Sequence, residues 1–279
     1  MIMKTTFITL AVLAASALPI NAREQMKLDM GKNFTSIKTS APVDIYLCNK
    51  PDSAGYVVYD IEPEVKDCIK IACSEKTLTI DMAKTDRHVK DFYKKVSVVK
   101  IYVPSPLEAI TVTGAGDIDA MPGIATAENL GLNISGAGDI EFEKIATGKL
   151  SVAISGAGDV DMKDVTAAEA NITITGAGDI KAKRLTAKSA DVNLMGAGDV
   201  SMDGTCKAVY LNVSGSGDIS CRKLKADIAT VKISGSGDIS CYASEMAAAT
   251  SSGSGEIKIY GEPATTKLIG KKDNIKLIK

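Results

Sequence analysis

NISGAGDIEF, residues 133–142, decides the fold. It joins an alternating stretch, a glycine-rich turn and a second alternating stretch within ten residues. Close variants recur along the chain. Their first glycines are Gly114, Gly136, Gly156, Gly176, Gly196, Gly215, Gly235 and Gly253, spaced by 22, 20, 20, 20, 19, 20 and 18 residues. Their second glycines are Gly116, Gly138, Gly158, Gly178, Gly198, Gly217, Gly237 and Gly255. A fixed period near twenty residues is the signature of a repeat architecture.

The copies align into columns. One place after the acidic residue lie Ile118, Ile140, Val160, Ile180, Val200, Ile219, Ile239 and Ile257. Three places after it come Ala120, Phe142, Met162, Ala182, Met202, Cys221, Cys241 and Ile259. Leu130, Leu150, Ala170, Ala190, Val209, Ala229 and Ala247 hold a third apolar column ahead of the glycines. Apolar residues at period two, flanked by polar ones, read as half-buried strands.

Twenty residues are too few for a globule, but at ~3.3 Å each they suit one turn of a flattened coil. Two strands per turn are clear and a third is expected. Turns stacked about 4.8 Å apart would bury the apolar columns. The expected fold is all-β, a parallel β-helix (β-solenoid) of about eight turns. A propeller needs about forty residues per blade, and adjacent copies here do not alternate in character.

The chain divides accordingly. Residues 1–22 have the layout of a signal peptide: Lys4, an apolar run, then small residues. Residues 23–105 are β-rich, with VDIYL, YVVYDI, TLTIDM and VSVVKIYV, and form either a separate layer or irregular turns of the same coil. Residues 106–260 are the repeat, and residues 261–279 a lysine-rich cap or tail. No later stretch approaches the ~20 apolar residues of a transmembrane helix.

The 33 basic and 34 acidic residues nearly balance. Nucleic acid is thereby disfavoured as a partner, since phosphate contacts need a basic face. Cys68 and Cys73, with Cys48 nearby, invite a disulfide in an exported chain. Cys206, Cys221 and Cys241 read as core fillers, the last two stacked on one another.

By parity the motif glycines point inward at a tight corner, where glycine also permits a positive φ. A phosphate loop would need a helix after the glycines, and here a strand follows every copy. The outward acidic column, Asp117, Asp139, Asp159, Asp179, Asp199, Asp218, Asp238 and Glu256, requires an offset for like charges stacked turn on turn. Two offsets are open: backbone N–H groups of the same turn, or Ca²⁺. A cation would sit where Asp117, Asp119, Asp139, Glu141, Asp159 and Asp161 crowd the first three turns. No catalytic or organic-cofactor residues are expected. Thr113, Ser135, Ser155, Thr175, Met195, Ser214, Ser234 and Ser252 form an outward, largely hydroxyl ladder, read as solvated surface or subunit interface.

The repeated SGAGDI and SGSGDI turns, with VKIYVPSPLEAITVTGAGDI ahead of them, resemble a bacterial family of putative auto-transporter adhesins with a head GIN domain. The resemblance spans about residues 30–260. It implies an exported β-helical protein of the periplasm, cell surface or outer envelope, with a protein or glycan ligand. Self-association as a homotrimer or other homo-oligomer suits flat repetitive faces. A polysaccharide-acting enzyme is the alternative, set against a chain with no tryptophan and 4% aromatic residues. Its single histidine, His88, lies in a charged stretch, residues 84–95. A lipid- or small-molecule-binding envelope protein is the third reading.

Overall fold

The computed structural model describes residues 23–83, 92–270 and 272–278. The signal-peptide reading, His88 and much of its charged stretch, Lys271 and Lys279 lie outside the described residues. The molecule is a parallel β-helix with almost no helical structure.

The N-terminal strands are β1 (Glu24–Asp29), β2 (Ser36–Thr39), β3 (Ile45–Cys48), β4 (Tyr56–Ile61), β5 (Ile69–Ser74), β6 (Thr77–Met82) and β7 (Val99–Tyr102). The repeat begins with β8 (Leu107–Val112), β9 (Ile118–Ala120) and β10 (Thr126–Ile134). It continues through three long bent strands, β11 (Ile140–Ile154), β12 (Val160–Ile174) and β13 (Ile180–Leu194). Then come β14 (Val200–Val213), β15 (Ile219–Cys221), β16 (Leu224–Ile233), β17 (Ile239–Tyr242) and β18 (Met246–Ser251). The coil ends with β19 (Ile257–Tyr260), β20 (Thr265–Ile269) and β21 (Ile275–Ile278).

Each long strand wraps three faces. Between β11 and β12 the in-register pairs run Ile140–Phe142, Lys144–Thr147 and Lys149–Ile154, lapsing at Glu143 and Gly148 where the chain bends. The middle face is the third strand expected from the period. It buries columns that the sequence reading did not align: Ile145, Val165, Leu185 and Leu224, beside Ala167, Ala187 and Ala226, with Cys206, read as a core filler, buried in the second of them. Every apolar column expected around the glycine turn is buried as well. Fully burying each isoleucine, leucine or valine is worth about 1.5–3 kcal/mol, so repetition accumulates stability turn by turn.

The N-terminal segment stacks on the coil. β2 pairs in parallel with β8, and β3 with β9. Beyond them the direction alternates: β4 is antiparallel to both β7 and β1, and β5 is antiparallel to β6. One continuous hydrophobic core runs from Met26 to Ile259.

Cys48 and Cys73 are free thiols, so the disulfide invited by Cys68 and Cys73 does not form. Cys73 lies within β5, which begins immediately after Cys68. Five extended residues span roughly 16 Å, beyond the Cα separation a disulfide tolerates. Cys221 and Cys241 face each other across in-register strands in the core. Burial raises both thiols, Cys241 to about 12, which keeps them protonated and unreactive.

Candidate functional site: an aspartate-lined corner groove

The glycine–aspartate corner is hydrogen-bonded from turn to turn. Ala157 N–H donates to the Gly136 carbonyl at 3.0 Å, and Ala177 N–H to that of Gly156 at 3.0 Å. On the far side Ile140 N–H donates to the Asp159 carbonyl at 2.9 Å. Successive backbones therefore meet at the corner with no side chain between them.

That contact explains the glycines. None of the motif glycines has a positive φ, so torsional freedom is not what the corner uses. A Cβ on Gly176 would fall on the carbonyl oxygen of Gly156 and 2.8 Å from the carbonyl carbon of Ser155. Gly178 stands in the same relation to Gly158. Backbone cannot yield as a flexible side chain can, and close backbone approach is glycine's other use in strands.

The aspartates act across turns rather than within their own. Asp139 Oδ1 accepts Asp159 N–H at 2.7 Å, Asp159 Oδ1 accepts Asp179 N–H at 2.7 Å, and Asp179 Oδ1 accepts Asp199 N–H at 2.8 Å. Asp199, Asp218 and Asp238 continue the series at 2.7–2.8 Å, ending on Glu256 N–H. Each carboxylate thus satisfies a corner N–H above it that has no backbone carbonyl partner. Glu256 ends the column against Lys258 and Lys276, which hold its carboxyl below the usual range.

The column also starts a turn earlier than the glycine count gives. Asp44 Oδ1 receives Asp117 N–H at 3.4 Å. The signal was present in APVDI, residues 41–45, which keeps the Asp-Ile pair while Val43 stands where a glycine would be expected.

The predicted cluster does assemble. Asp44, Tyr46, Asp117, Asp119, Asp139, Glu141, Asp159, Asp161, Asp179 and Lys181 line a groove of about 300 Å³ along this corner. Burial, then Glu141, Asp117 and Asp44, raise the Asp119 carboxyl above its ordinary range. Burial likewise raises Asp139, opposed by its bond from Asp159 N–H and reinforced by the Asp117 and Asp159 charges.

Neutralisation comes from the neighbouring column. Lys163 reaches Glu141 at 2.7 Å and also pairs with Glu143, Lys183 reaches Asp161 at 3.0 Å, and Arg184 pairs with Asp164. Asp161 Oδ1 is shielded and has no hydrogen-bond partner among the described residues. Among the described residues, no three His, Cys, Asp or Glu side chains converge as a metal-ligand set.

A second face runs beside the corner. Thr113, Ser135, Ser155 and Thr175 stand exposed next to Thr111, Asn133, Ala153, Thr173, Asn193 and Asn212. These columns carry no charge between Lys38, in register below Thr111, and Lys232, and Asp191 flanks them, accepting from Asn193 at 2.7 Å. Thr111, Asn133, Ser135, Ala153, Ser155, Thr173 and Thr175 bound a shallow depression of about 140 Å³.

A parallel coil with glycine corners and polar ladders defines the class: a β-solenoid repeat protein with an acidic corner and an uncharged strip beside it. The chain belongs to the family described as "Putative auto-transporter adhesin, head GIN domain", whose model matches residues 33–203 and 163–263. Solved structures share the fold. A putative adhesin from Parabacteroides distasonis matches with a TM-score of 0.69 at 20% identity, over 92% of this chain and 98% of that one. A putative adhesin from Parabacteroides merdae gives 0.69 at 19%, over 92% and 97%. A putative lipid binding protein from Parabacteroides distasonis gives 0.64 at 21%, over 92% and 97%. No curated protein matches the chain. Among the described residues, no helix is long and apolar enough to cross a membrane.

Proposed function

We propose that this chain is a non-enzymatic, exported protein of the bacterial envelope that adheres to a protein or glycan surface through the flat face of its coil. The observation that carries this reading is the uncharged strip of Thr, Ser and Asn side chains repeated turn on turn beside the acidic corner. Such a strip offers hydrogen-bond donors and acceptors at the strand spacing of about 4.8 Å, held rigid by the core beneath. Many weak, evenly spaced contacts suit an extended ligand better than a small one. Membership of the adhesin family supports the same reading.

An enzymatic role has less support, because carboxylates spaced along a ladder arise from the repeat itself and fold likeness alone is a weak guide to activity. The name of one structural neighbour raises lipid binding. An acyl chain needs an apolar cavity, and the larger groove here is lined mainly by carboxylates.

The test is retention of envelope and matrix proteins and of arrayed glycans by the immobilised chain. The double variant Thr173→Lys, Asn193→Lys should lose what the parent retains, with an unchanged circular dichroism spectrum. Failure of the parent to retain any macromolecule, or equal retention by the variant, would overturn the proposal.

A further inference from the structure

The flat face changes character at one place. Most of its outward side chains are Thr, Ser, Asn or Ala, but Met195 and Tyr210 stand on it 49% and 50% exposed. Aromatic residues make up only 4% of the chain, so an outward tyrosine here is not a by-product of composition. Register brings both residues to one spot. Asp191 pairs with Tyr210 and Asn193 with Asn212 across β13 and β14, and Met195 follows directly after β13. Strand alternation carries these side chains outward, because the intervening Val192, Leu194 and Leu211 are buried. The array is about 13 Å long and one strand spacing, about 4.8 Å, deep.

The polar groups of this array are already oriented. Asn193 Nδ2 donates to Asp191 Oδ1 at 2.7 Å, and Asn212 Nδ2 donates to Asn193 Oδ1 at 3.3 Å. Among the described residues, each amide therefore keeps one N–H to give, while Asn212 keeps its carbonyl oxygen and Asp191 its second carboxylate oxygen to accept. Donors and acceptors thus alternate beside an exposed aromatic ring. Charge is balanced across the spot: Asp191 stands in register below Tyr210, and Lys232 in register above Asn212.

The chemistry of the array selects among occupants. A protein partner would bury about 800 Å² around a core of aromatic and apolar side chains, and this spot supplies two such side chains. Strand addition is closed, because β13 and β14 are each paired along both edges. A lipid surface would need a broad apolar face, which the amides and Asp191 interrupt. A sugar ring fits each element. Its C–H face carries slight positive charge and meets the negative face of the tyrosine ring. Its hydroxyls both donate and accept, as the amides and the carboxylate require. With Asp191 and Lys232 offsetting one another, the array asks for no net charge on the ligand. We propose that Tyr210, Asn193, Asn212 and Asp191 form a binding site for a neutral sugar chain. This deepens the flat-face reading of the function and rests on it.

The probes are the neutral trisaccharides cellotriose, triacetylchitotriose and mannotriose, with trigalacturonate as the acidic comparison, each titrated against the isotope-labelled full chain by NMR. At least one neutral trisaccharide should bind saturably, shifting the side-chain amides of Asn193 and Asn212 and the backbone amides of residues 191–195 and 210–214. Tyr210→Ala should weaken that binding at least about tenfold, while Tyr210→Phe, which keeps the ring, should stay within about twofold of the parent. Asn212→Ala should weaken it about fivefold, and Ser135→Ala, remote on the same face, should bind as the parent does. Absence of binding by all three neutral probes, or shifts confined to another surface, would overturn the proposal. So would a Tyr210→Ala variant that binds as tightly as the parent, or trigalacturonate binding more tightly than every neutral probe. Binding of a neutral probe at Tyr210 by a chain that retains no macromolecule when immobilised would sink the adhesive role and leave this site standing. Retention of proteins without binding of any neutral trisaccharide would do the reverse.

Discussion

The coil turns a corner three times per rung, and two of those corners follow opposite rules. At the glycine–aspartate corner the same four residues recur with Ser for Ala in later copies and Glu for Asp in the last. At the corner that holds Gly148, the in-register positions above are Ala168, Lys188, Lys207, Asp227 and Glu245. The first corner is a backbone-on-backbone contact, so it admits one side-chain size. At the second, a Cβ on Gly148 would meet the carboxylate end of the Glu128 side chain, which can swing away, and its nearest backbone atom, the Glu128 carbonyl oxygen, stands 3.1 Å off rather than about 2 Å.

Length changes obey the same division. The first interval, of 22 residues, takes up its two extra residues between Ala120 and Asn129, whose partners one turn above are Phe142 and Lys149. The 19-residue interval loses its residue between Ala182 and Leu185 of β13 and their partners Met202 and Gly204. In the 18-residue interval the path from Ile219 to Ile228 shortens to that from Ile239 to Met246. None of these changes touches the glycine turn. One corner sets the register of the stack, and the others absorb variation.

The largest effect that should separate the corners is Gly176→Ala. The new methyl would displace the backbone of the turn below, a strain in the class that costs more than about 3 kcal/mol, and the soluble folded chain should be strongly depleted on expression. Next comes Asp159. Asp159→Ala removes the acceptor for Asp179 N–H and should cost about 1–3 kcal/mol by chemical denaturation. Asp159→Asn keeps an oxygen at that place and should cost less than half as much, provided the ladder is a hydrogen-bond device.

A smaller effect is expected at Asp119. Its folded carboxyl titrates above the ordinary value through burial and neighbouring acids. The native state therefore holds its proton longer than the unfolded chain, and its contribution to stability is lost as pH rises through the raised value. Asp119→Asn should raise the Tm slightly at pH 7, and the gain should shrink towards pH 3. At the variable side, Arg184→Ala breaks an exposed pair with Asp164 and should leave the Tm within error, because water screens such pairs.

Much of this was readable from residues alone. Period, parity and apolar columns point to a parallel β-helix because each is a direct imprint of stacking, and the acidic cluster follows from aligning copies. Three things were not legible. The middle face carries columns such as Val165 and Leu185 whose spacing is blurred by bends at either side. Asp44 enters the ladder without a glycine to announce it. The partner of each aspartate, one turn above rather than its own, depends on rung spacing, which no local pattern encodes. Parity points the glycines into a corner, but the steric reason for them appears only in the stacked backbones.

The central claim is that backbone contact between turns, repeated at the glycine–aspartate corner in every rung, writes the repeat. It is tested most directly by placing one substitution at both corners, Gly176→Ala and Gly148→Ala, and measuring urea denaturation of each. The account predicts that Gly148→Ala matches the parent within about 0.5 kcal/mol, the scale of a tolerated surface change, as Ala168 already does one turn above. It predicts that Gly176→Ala loses more than about 3 kcal/mol or does not fold. Equal midpoints for the two variants would contradict it.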